Sequence, residues 1–376
     1  MGEPIAQREA HMKVLVVGAG YAGTIAANRL AKRVKTADIT VINPRPDFVE
    51  RVRLHERIAG TGTATTPLTS MLRPGIATRT GTVDKIGDGQ VTLGDGTGLD
   101  FDHLLLAVGS TAVPLPGTVA AGTWEGAEEA RAALAGLPGG GAVTVIGGGL
   151  TGIETASEIA YGRPDLRVRL VGQTIAASLS AGARERVRTG LDRLRVEVVT
   201  DSVTQIDPGA GEGSGDLVRL GSGAGFSSDL TLWAVIGSVP DLAARSGLEV
   251  DPDGRAVVDA YLRSVTDPRI FVVGDCAAVP GSRAACATAM PQGAHAADTL
   301  ARMMRGRELT PYSMGYVGQG LSLGRRDGLL QAGRRDDTVR RFYVAGGAAA
   351  VGKERVCRYA KFSVRTATYT WPRGSK

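Results

Sequence analysis

The chain has 376 residues, 43% hydrophobic and 22% charged, which is the composition of a soluble protein large enough for two or three domains. Lysine and arginine number 44 against 38 aspartate and glutamate, and this net charge of +6 is scattered along the chain, which argues against nucleic acid as a partner. No apolar stretch reaches the roughly 20 residues needed to span a bilayer, and the N-terminus lacks the apolar core of a signal peptide, so a cytoplasmic protein is expected.

The first element along the chain is a glycine-rich loop inside a βαβ unit. Residues 13–23, KVLVVGAGYAG, form an apolar strand that runs into Gly18, Gly20 and Gly23, followed by a helix-like segment and the strand ADITVIN. The first glycine permits a tight turn, the second lets the backbone approach a pyrophosphate, and the third allows close packing of helix on strand. Because the helix N-terminus supplies unpaired N–H groups, the unit predicts a dinucleotide site.

The same unit occurs again in the middle of the chain. The stretch AVTVIGGGLTGIETASEIA carries Gly147, Gly149 and Gly152 between an apolar strand and a helix, and the strand RVRLVGQT follows. Glycines that serve packing alone would explain one copy more easily than two. Two copies therefore predict two dinucleotide sites in one chain.

Three further strands complete the pattern. Residues 101–117 and 230–241 each read as a buried strand that breaks at Gly-Ser and then at proline, as expected where the chain leaves a domain. The third strand, TDPRIFVVGDCA, ends at Gly274 and Asp275. An unpaired charge at the end of a buried strand is costly, so Asp275 is expected to accept hydrogen bonds from a ligand or from a helix N-terminus.

The order of these motifs resembles that of the FAD-dependent pyridine nucleotide oxidoreductases over roughly residues 12–310, and within that family it is most similar to type II NADH dehydrogenases and apoptosis-inducing-factor-like quinone reductases. The resemblance implies an α/β fold of the glutathione-reductase-like architecture, with two Rossmann-like domains for FAD and NAD(P). It implies an FAD domain formed by 1–115 and 255–310, a nucleotide domain formed by 116–254, and a C-terminal segment, 311–376, that covers the flavin or forms an interface.

The resemblance also assigns cofactor-binding residues by match of position. The first glycine loop would hold the FAD pyrophosphate, Asp275 the ribityl chain, and the second loop NADH or NADPH. The residues expected at the FAD site are Gly18, Ala19, Gly20, Ala22, Gly23, Asn43, Val83, Ala107, Val108, Gly109, Gly274, Asp275, Pro291 and Gln292. The residues expected at the nicotinamide nucleotide site are Gly147, Gly149, Leu150, Gly152, Glu154 and Gly237.

Both second strands lack the acid that usually binds a ribose. Asn43 and Gly172 lie at the offset from the loop where an acid normally meets the 2′-OH; Asn43 still offers a neutral acceptor, whereas Gly172 has no side chain. A missing carboxylate weakens NADH binding but removes repulsion against the phosphate of NADPH, and Arg184, Arg186 and Arg188 lie on the next helix-like segment. NADH and NADPH both stay open, and Gly172→Asp is expected to shift the preference toward NADH.

Electron transfer without a cysteine relay is predicted. Members of the family that act on disulfides carry a cysteine soon after the first ribose-binding strand, whereas residues 43–60 contain none. Cys276, Cys286 and Cys357 suit a reducing compartment, and the first two are expected to be buried free thiols. Hydride would then pass from the nicotinamide to the flavin, and from there to a quinone-like or other small organic acceptor.

The segment in place of the cysteine helix supplies the catalytic candidates. Arg53 and His55 could face the flavin, and His55 could protonate the reduced product because its unperturbed pKa lies near neutrality; a packed histidine is the alternative. Pro291 is expected at the first position of the helix CATAMPQGAHAADTLARMM, whose N-terminal amides could stabilise negative charge on the flavin. Lys353 and Lys361 are candidates for anion contacts, although exposed helix charges are the simpler explanation.

Two other functions stay open. A flavin-dependent tailoring enzyme or oxidase of small-molecule biosynthesis, with a degenerate nicotinamide site, would account for Gly172. A flavin-loaded binding or redox-sensing protein is a third, non-enzymatic alternative. No metal site is expected, and the aromatic residues near the C-terminus are expected to pack within a homodimer or on the FAD domain rather than on a membrane.

Overall fold

Two five-stranded parallel sheets form the core of the computed structural model, which describes residues 12–213 and 215–374. The expectation about a signal peptide concerns residues that lie mostly outside this part. In spatial order, the strands of the first sheet are Ile270–Val272, His103–Leu106, Met12–Val17, Ala37–Asn43 and Ala77–Thr80. Those of the second sheet are Val119–Ala120, Leu230–Trp233, Ala142–Ile146, Arg167–Val171 and Glu197–Val199.

Smaller sheets are added to this core. Three antiparallel sheets contain Val83–Ile86, Gln90–Leu93 and Gly98–Asp100; Val203–Asp207, Asp216–Leu220 and Gly225–Ser228; and Gly318–Ser322, Gly328–Gly333 and Val339–Ala345. Two strand pairs join Asp47–Val49 to Thr65–Pro67 and Ala256–Val257 to Ala277–Ala278. The third antiparallel sheet belongs to the C-terminal segment.

The helices connect the strands and cover the sheets. They are α1 (Tyr21–Arg33), α2 (Leu54–Ile58), α3 (Leu68–Met71), α4 (Trp124–Gly136), α5 (Leu150–Gly162), α6 (Ala181–Arg193), α7 (Leu242–Arg245), α8 (Cys286–Met303) and α9 (Gly347–Thr366), with a short 3-10 turn at Arg51–Arg53. Among the residues described, none of the helices is both long enough and apolar enough to cross a membrane.

The central strand of the first sheet shows why an unbroken apolar run forms a strand here. Val14 and Val16 are fully buried in a cluster that contains α1 and α8, and Leu15 and Val17 are buried in a second cluster on the opposite face. Successive side chains of a strand point to opposite faces, so a strand covered on both sides needs apolar residues at every position. Each such buried side chain stabilises the fold by roughly 1.5–3 kcal/mol.

The α/β class and both βαβ units are as predicted. The first sheet takes its strands from 12–106 and 270–272, and the second takes them from 119–233. On this basis we propose the domain division expected from the sequence, with boundaries near residues 115, 254 and 310.

The prediction that Pro291 opens its helix is wrong, because α8 begins at Cys286. The single hydroxyl proton of Thr288 is shared between the carbonyls of Arg283 and Ala285, which lie 2.8 and 2.7 Å from Oγ1, and this bond stabilises a first turn upstream of the proline. Pro291 therefore lies inside the helix, where it removes one backbone donor.

The C-terminal segment packs partly on the first domain. Ala360 and Val364 of α9 are buried in the same cluster as α1, and Trp371 stacks on Tyr369 with ring centroids 6.2 Å apart. Phe362, in contrast, is 57% exposed. Of the aromatic residues near the C-terminus, Tyr369 and Trp371 therefore pack on the first domain as expected, whereas Phe362 does not.

Candidate functional site

A cavity of about 1560 Å³ extends from the first glycine loop to the second. Both loops follow the carboxyl ends of central parallel strands, where α/β sheets bind their ligands. The sequence-predicted residues that line the cavity are Gly18, Ala19, Gly20, Ala22, Asn43, His55, Val83, Ala107, Val108, Gly109, Gly147, Gly149, Leu150, Glu154, Gly274 and Asp275. The remaining predicted residues, which are not part of this lining, are Gly23, Arg53, Gly152, Gly237, Pro291 and Gln292.

The two glycine loops share one geometry. A Cβ added at Gly20, the N-cap of α1, would have no heavy atom within 4 Å, whereas a Cβ at Gly23 would lie 1.9 Å from the carbonyl oxygen of Gly18. The second loop repeats this, with open space at Gly149 and a 1.8 Å clash at Gly152. In each loop the second glycine leaves room for a phosphate at a helix N-terminus, and the third packs the helix onto the loop.

Asn43 connects the first ribose-binding strand to its phosphate loop. Its Oδ1 accepts a hydrogen bond from the backbone N–H of Ala19 at 3.0 Å, and its Nδ2 donates to the carbonyl of Arg45 at 2.8 Å. A carboxylate could make the first bond but not the second, which gives a physical reason for an amide at this position. The second lone pair of the amide oxygen can accept a bond from a ribose hydroxyl.

Gly172 has a packing role that the sequence did not reveal. A Cβ at Gly172 would lie 2.6 Å from the backbone nitrogen of Gly148, and a Cβ at Gly148 would lie 2.0 Å from the carbonyl oxygen of Thr174. The phosphate loop therefore packs backbone against backbone on this strand end. A side chain at Gly172 would therefore have to displace the loop, so we now expect Gly172→Asp to disturb the nucleotide site rather than to favour NADH.

The helix after this strand offers no arginine to the cavity. Arg184, Arg186 and Arg188 are absent from its lining. Arg186 Nη2 donates to both carboxylate oxygens of Asp327 at 2.6 Å, so its charge is already paired. The choice between NADH and NADPH accordingly stays open.

Asp275 lies beside a serine and an arginine that sequence reasoning missed. Ser110 Oγ donates to Asp275 Oδ2 at 2.6 Å, and Arg51 Nη1 donates to the hydroxyl and the carbonyl of Ser110 at 3.0 and 2.9 Å. Burial lowers the pKa of Arg51, and the carboxylate of Asp275 opposes that shift. All three residues line the large cavity. The signal in the sequence is the Gly-Ser pair at the end of 101–110, which marks the end of a strand and also supplies this serine.

Gln292 acts from behind the cavity wall. It is 1% exposed, its Oε1 accepts from the backbone N–H of Gly274 at 2.7 Å, and its Nε2 donates to Ser282 Oγ at 3.0 Å. The residue thereby fixes the turn that carries Asp275. Residues 284–287 line the cavity, so the N-terminus of α8 lies at its edge, although at Cys286 rather than at Pro291.

Two of the three cysteines line the cavity. Cys286 and Cys357 are both unpaired, while Cys276 is 2% exposed and lies in the core. Burial raises the pKa of the Cys286 and Cys276 thiols to about 11, and it raises that of Cys357 as well. Thiols of this kind are protonated at neutral pH and are weak nucleophiles.

His55, Glu154 and Lys353 line one wall of the cavity, and Ser322 lies behind them and is hydrogen-bonded to Glu154; we call these four residues the wall cluster. Glu154 Oε1 accepts from the backbone N–H of Ser322 at 2.9 Å, from Ser322 Oγ at 3.2 Å and from Lys353 Nζ. His55 Nε2 lies 3.3 Å from Ser322 Oγ. Ser322 is far from the other three in sequence, so no local pattern could have identified it.

Charges within the wall cluster determine its protonation. Burial opposes ionisation of Glu154, but Lys353, His55 and the hydrogen bonds outweigh it and hold the pKa of this carboxyl below its usual value. Burial likewise opposes the charge of Lys353, but Glu154 raises its pKa. Burial lowers the pKa of His55, so the imidazole is neutral at neutral pH. The expectation that Lys353 is an exposed helix charge is wrong, since its side chain is 15% exposed and paired.

Arg53 lies on the far side of this wall. Its Nη1 donates to Glu56 Oε1 and Glu354 Oε2, both at 2.9 Å, and burial is outweighed by these carboxylates, which raise its pKa. It lines a second cavity of about 510 Å³, and Arg51 takes the place in the large cavity that was expected for Arg53. Lys361 is half-buried and donates to Glu50 at 2.9 Å, so it is also paired.

Comparisons with known proteins identify the family and the fold. The family model for pyridine nucleotide-disulphide oxidoreductases matches residues 12–297. An NADH dehydrogenase-like protein of Mycobacterium tuberculosis is 33% identical over 71% of this chain and 73% of its own length, and ferroptosis suppressor protein 1 of Xenopus laevis is 26% identical over 88% and 91%. The structure of NDH2 from Plasmodium falciparum in complex with NADH has a TM-score of 0.78 at 14% identity, covering 96% of this chain and 99% of that one, which is a likeness of fold.

Proposed function

Because the chain belongs to the pyridine nucleotide-disulphide oxidoreductase family and is an FAD-dependent NAD(P)H oxidoreductase, we propose an electron acceptor for it. The proposed acceptor is a quinone-like or other small organic molecule, which the protein reduces without a cysteine relay. The observation that carries the proposal is a large cavity that reaches both glycine loops, which lets two nucleotides meet inside it. The raised pKa of the Cys286 thiol supports transfer without a thiolate.

The residues present fit FAD at the first loop. Open space at Gly20 at the N-terminus of α1 suits a pyrophosphate, Asn43 suits a ribose, and Asp275 suits the hydroxyls of a ribityl chain. The N-terminus of α8 directs its positive dipole end toward the cavity edge. When bound, FAD supplies hydride acceptance and two-electron transfer to the acceptor.

The second loop is proposed to bind NADH or NADPH. Gly149 leaves the same open space at the N-terminus of α5 as its counterpart does in the first loop. Gly172 had favoured a degenerate site, but its tight contact with Gly148 gives it a packing role instead. The tailoring-enzyme alternative thus loses the feature that had supported it.

The wall cluster is proposed to manage charge and protons at the acceptor. Lys353 Nζ, kept protonated by Glu154, can stabilise negative charge on a reduced carbonyl oxygen and donate a proton to it. The neutral imidazole of His55 can accept a proton on one nitrogen and donate one from the other, as a proton-transfer group requires.

Anaerobic stopped-flow spectroscopy tests the function. We expect NADH or NADPH to bleach the oxidised flavin within seconds, and a quinone to restore its absorbance afterwards. Gly149→Ala places a Cβ in the space for the nucleotide phosphate, so it should slow bleaching while leaving FAD bound. Gly20→Ala is the matched variant at the other loop and should instead release FAD. Failure of both nucleotides at millimolar concentration would favour an enzyme whose own substrate reduces the flavin.

A further inference from the structure

Arg51 is a half-buried arginine at the junction of the two proposed domains. Its Nη1 donates to the carbonyl and the hydroxyl of Ser110, at 2.9 and 3.0 Å, and its Nε and Nη2 donate to the carbonyl of Gly122, at 3.2 and 3.0 Å. Ser110 follows the strand His103–Leu106 of the first domain, and Gly122 precedes α4 of the second. The guanidinium is therefore held in one position, and it lines the large cavity.

None of these four hydrogen bonds goes to a carboxylate. The acidic group that acts on Arg51 is Asp275, which is reached through the hydroxyl of Ser110, a donor to Asp275 Oδ2 at 2.6 Å. Burial outweighs this carboxylate and lowers the pKa of Arg51. Arg53 shows the usual arrangement, because there burial is outweighed by the carboxylates in direct contact, such as that of Glu354, which raise its pKa.

A cation of this kind is unfavourable unless a ligand supplies the opposite charge, because a charge removed from water needs a bonded partner. A guanidinium also carries five N–H donors. The four hydrogen bonds of Arg51 thus leave one N–H without a partner in the part of the chain that the structure describes. Arg51 therefore has both the charge and the free donor to bind an anion in the large cavity.

The first glycine loop indicates which anion this is. The turn that carries Asp275 packs on the first turn of α1, since a Cβ added at Gly274 would lie 3.4 Å from the Cβ of Ala22. The N-terminus of α1 is the proposed site of the FAD pyrophosphate, so the carboxylate of Asp275 lies near the place of further negative charge, which it repels. Arg51 is bonded to the same serine as Asp275 and can offset this repulsion.

We propose that Arg51 is the counter-ion of the FAD pyrophosphate, and that its remaining N–H donates to a phosphate oxygen. The inference rests on the proposed binding of FAD at the first loop, but not on the identity of the acceptor or of the nicotinamide nucleotide. Because the same guanidinium bonds to Ser110 and Gly122, it also fixes the phosphate relative to both domains. Arg51 is in this account a cofactor-binding residue, and no bond of the reaction is formed or broken at it.

Serial dilution of the FAD-loaded protein tests the proposal, because the fluorescence of the released flavin gives the Kd of FAD. Arg51→Gln should raise this Kd about tenfold or more, since a charge-assisted hydrogen bond is lost. Arg51→Lys should recover most of the affinity, because the charge stays. A purely structural role predicts the opposite result for lysine, which lacks the planar fork that joins Ser110 to Gly122 and would then bind FAD as weakly as the glutamine variant.

Arg163→Gln is the matched control. Arg163 also donates to two backbone carbonyls, those of Leu134 and Leu137 at 2.8 and 2.9 Å, but it is not part of the cavity lining, so its loss should leave the Kd of FAD unchanged. Melting curves report whether each variant folds. If Arg51→Gln does not fold, Arg51→Lys decides alone: a Kd within about threefold of the natural protein supports the proposal, and a loss of about tenfold or more overturns it.

Displacement of FAD by ADP tests which part of the cofactor Arg51 contacts, because ADP carries the pyrophosphate without the flavin ring. Arg51→Gln should weaken the binding of ADP and of FAD to a similar extent. An unchanged Kd of FAD in this variant, or a loss for FAD with none for ADP, would overturn the proposal. No nicotinamide nucleotide or acceptor enters these measurements, so absence of flavin bleaching by NAD(P)H would reject the proposed function and leave the result for Arg51 intact.

Discussion

Lys353→Met provides a quantitative test of the wall cluster. The change keeps the bulk of the side chain but leaves the Glu154 carboxylate, 11% exposed, without the cation that its Oε1 contacts. Removing one partner of a buried ion pair costs about 3–5 kcal/mol, because the other charge stays buried and uncompensated. We expect a loss of this size in the free energy of unfolding at neutral pH.

The pH dependence should reverse in this variant. In the natural protein the pKa of Glu154 is depressed, so its contribution to stability is present above the unfolded-state pKa and is lost only as pH falls through the lower folded-state pKa. Without Lys353, burial is the dominant influence and raises that pKa above the unfolded value. The contribution of Glu154 to stability should then be greatest at low pH and decline as pH rises through the raised pKa.

Urea unfolding of FAD-loaded protein at roughly pH 5 and pH 8 measures both effects, because a raised carboxyl pKa changes the stability between these two values. The double variant Glu154→Gln, Lys353→Met removes both charges and should recover much of the lost stability, giving a coupling energy in a double-mutant cycle. Equal stability of Lys353→Met and the natural protein at both pH values, or a double variant no better than the single one, would refute the reasoning.

Three further substitutions test the nucleotide sites. Gly23→Ala should destabilise the fold, because its Cβ would lie 1.9 Å from a carbonyl oxygen, whereas Gly20→Ala should fold normally and retain less FAD; similar melting curves for both would contradict this. Gly172→Asp should weaken the binding of NADH and of NADPH to the same extent, as measured by the concentration dependence of flavin bleaching, and should leave the FAD content unchanged. A selective gain in NADH binding would show that the strand end faces the ribose. Asn43→Ala should leave the buried N–H of Ala19 unpaired at a cost of about 1–3 kcal/mol and lower FAD retention after dialysis, and full retention would reject this role.

Much of the fold was accessible from the sequence. The run VLVV, residues 14–17, is apolar at every position and so indicates a strand buried on both faces, and the glycines that follow it have the spacing that a phosphate loop requires. These are local requirements of backbone geometry, so they leave a local record. The two βαβ units and the position of Asp275 could be inferred in this way, and the order of the motifs indicated the family by resemblance. The position of Pro291 within its helix could not be inferred, because the helix begins upstream, at Cys286.

The wall cluster, in contrast, was decided by the tertiary structure. His55, Glu154, Ser322 and Lys353 come from four separate segments, and only the packing of the C-terminal segment against α2 and α5 brings their polar atoms within hydrogen-bond distance. The same packing turned Lys353 from an expected surface charge into a buried ion pair. A separate contact, between the end of the strand Arg167–Val171 and the second glycine loop, gave Gly172 its packing role. Sequence spacing determines what one strand or helix can present, but burial and pairing depend on neighbours that are distant along the chain, and those set the charges and the proton chemistry of the site.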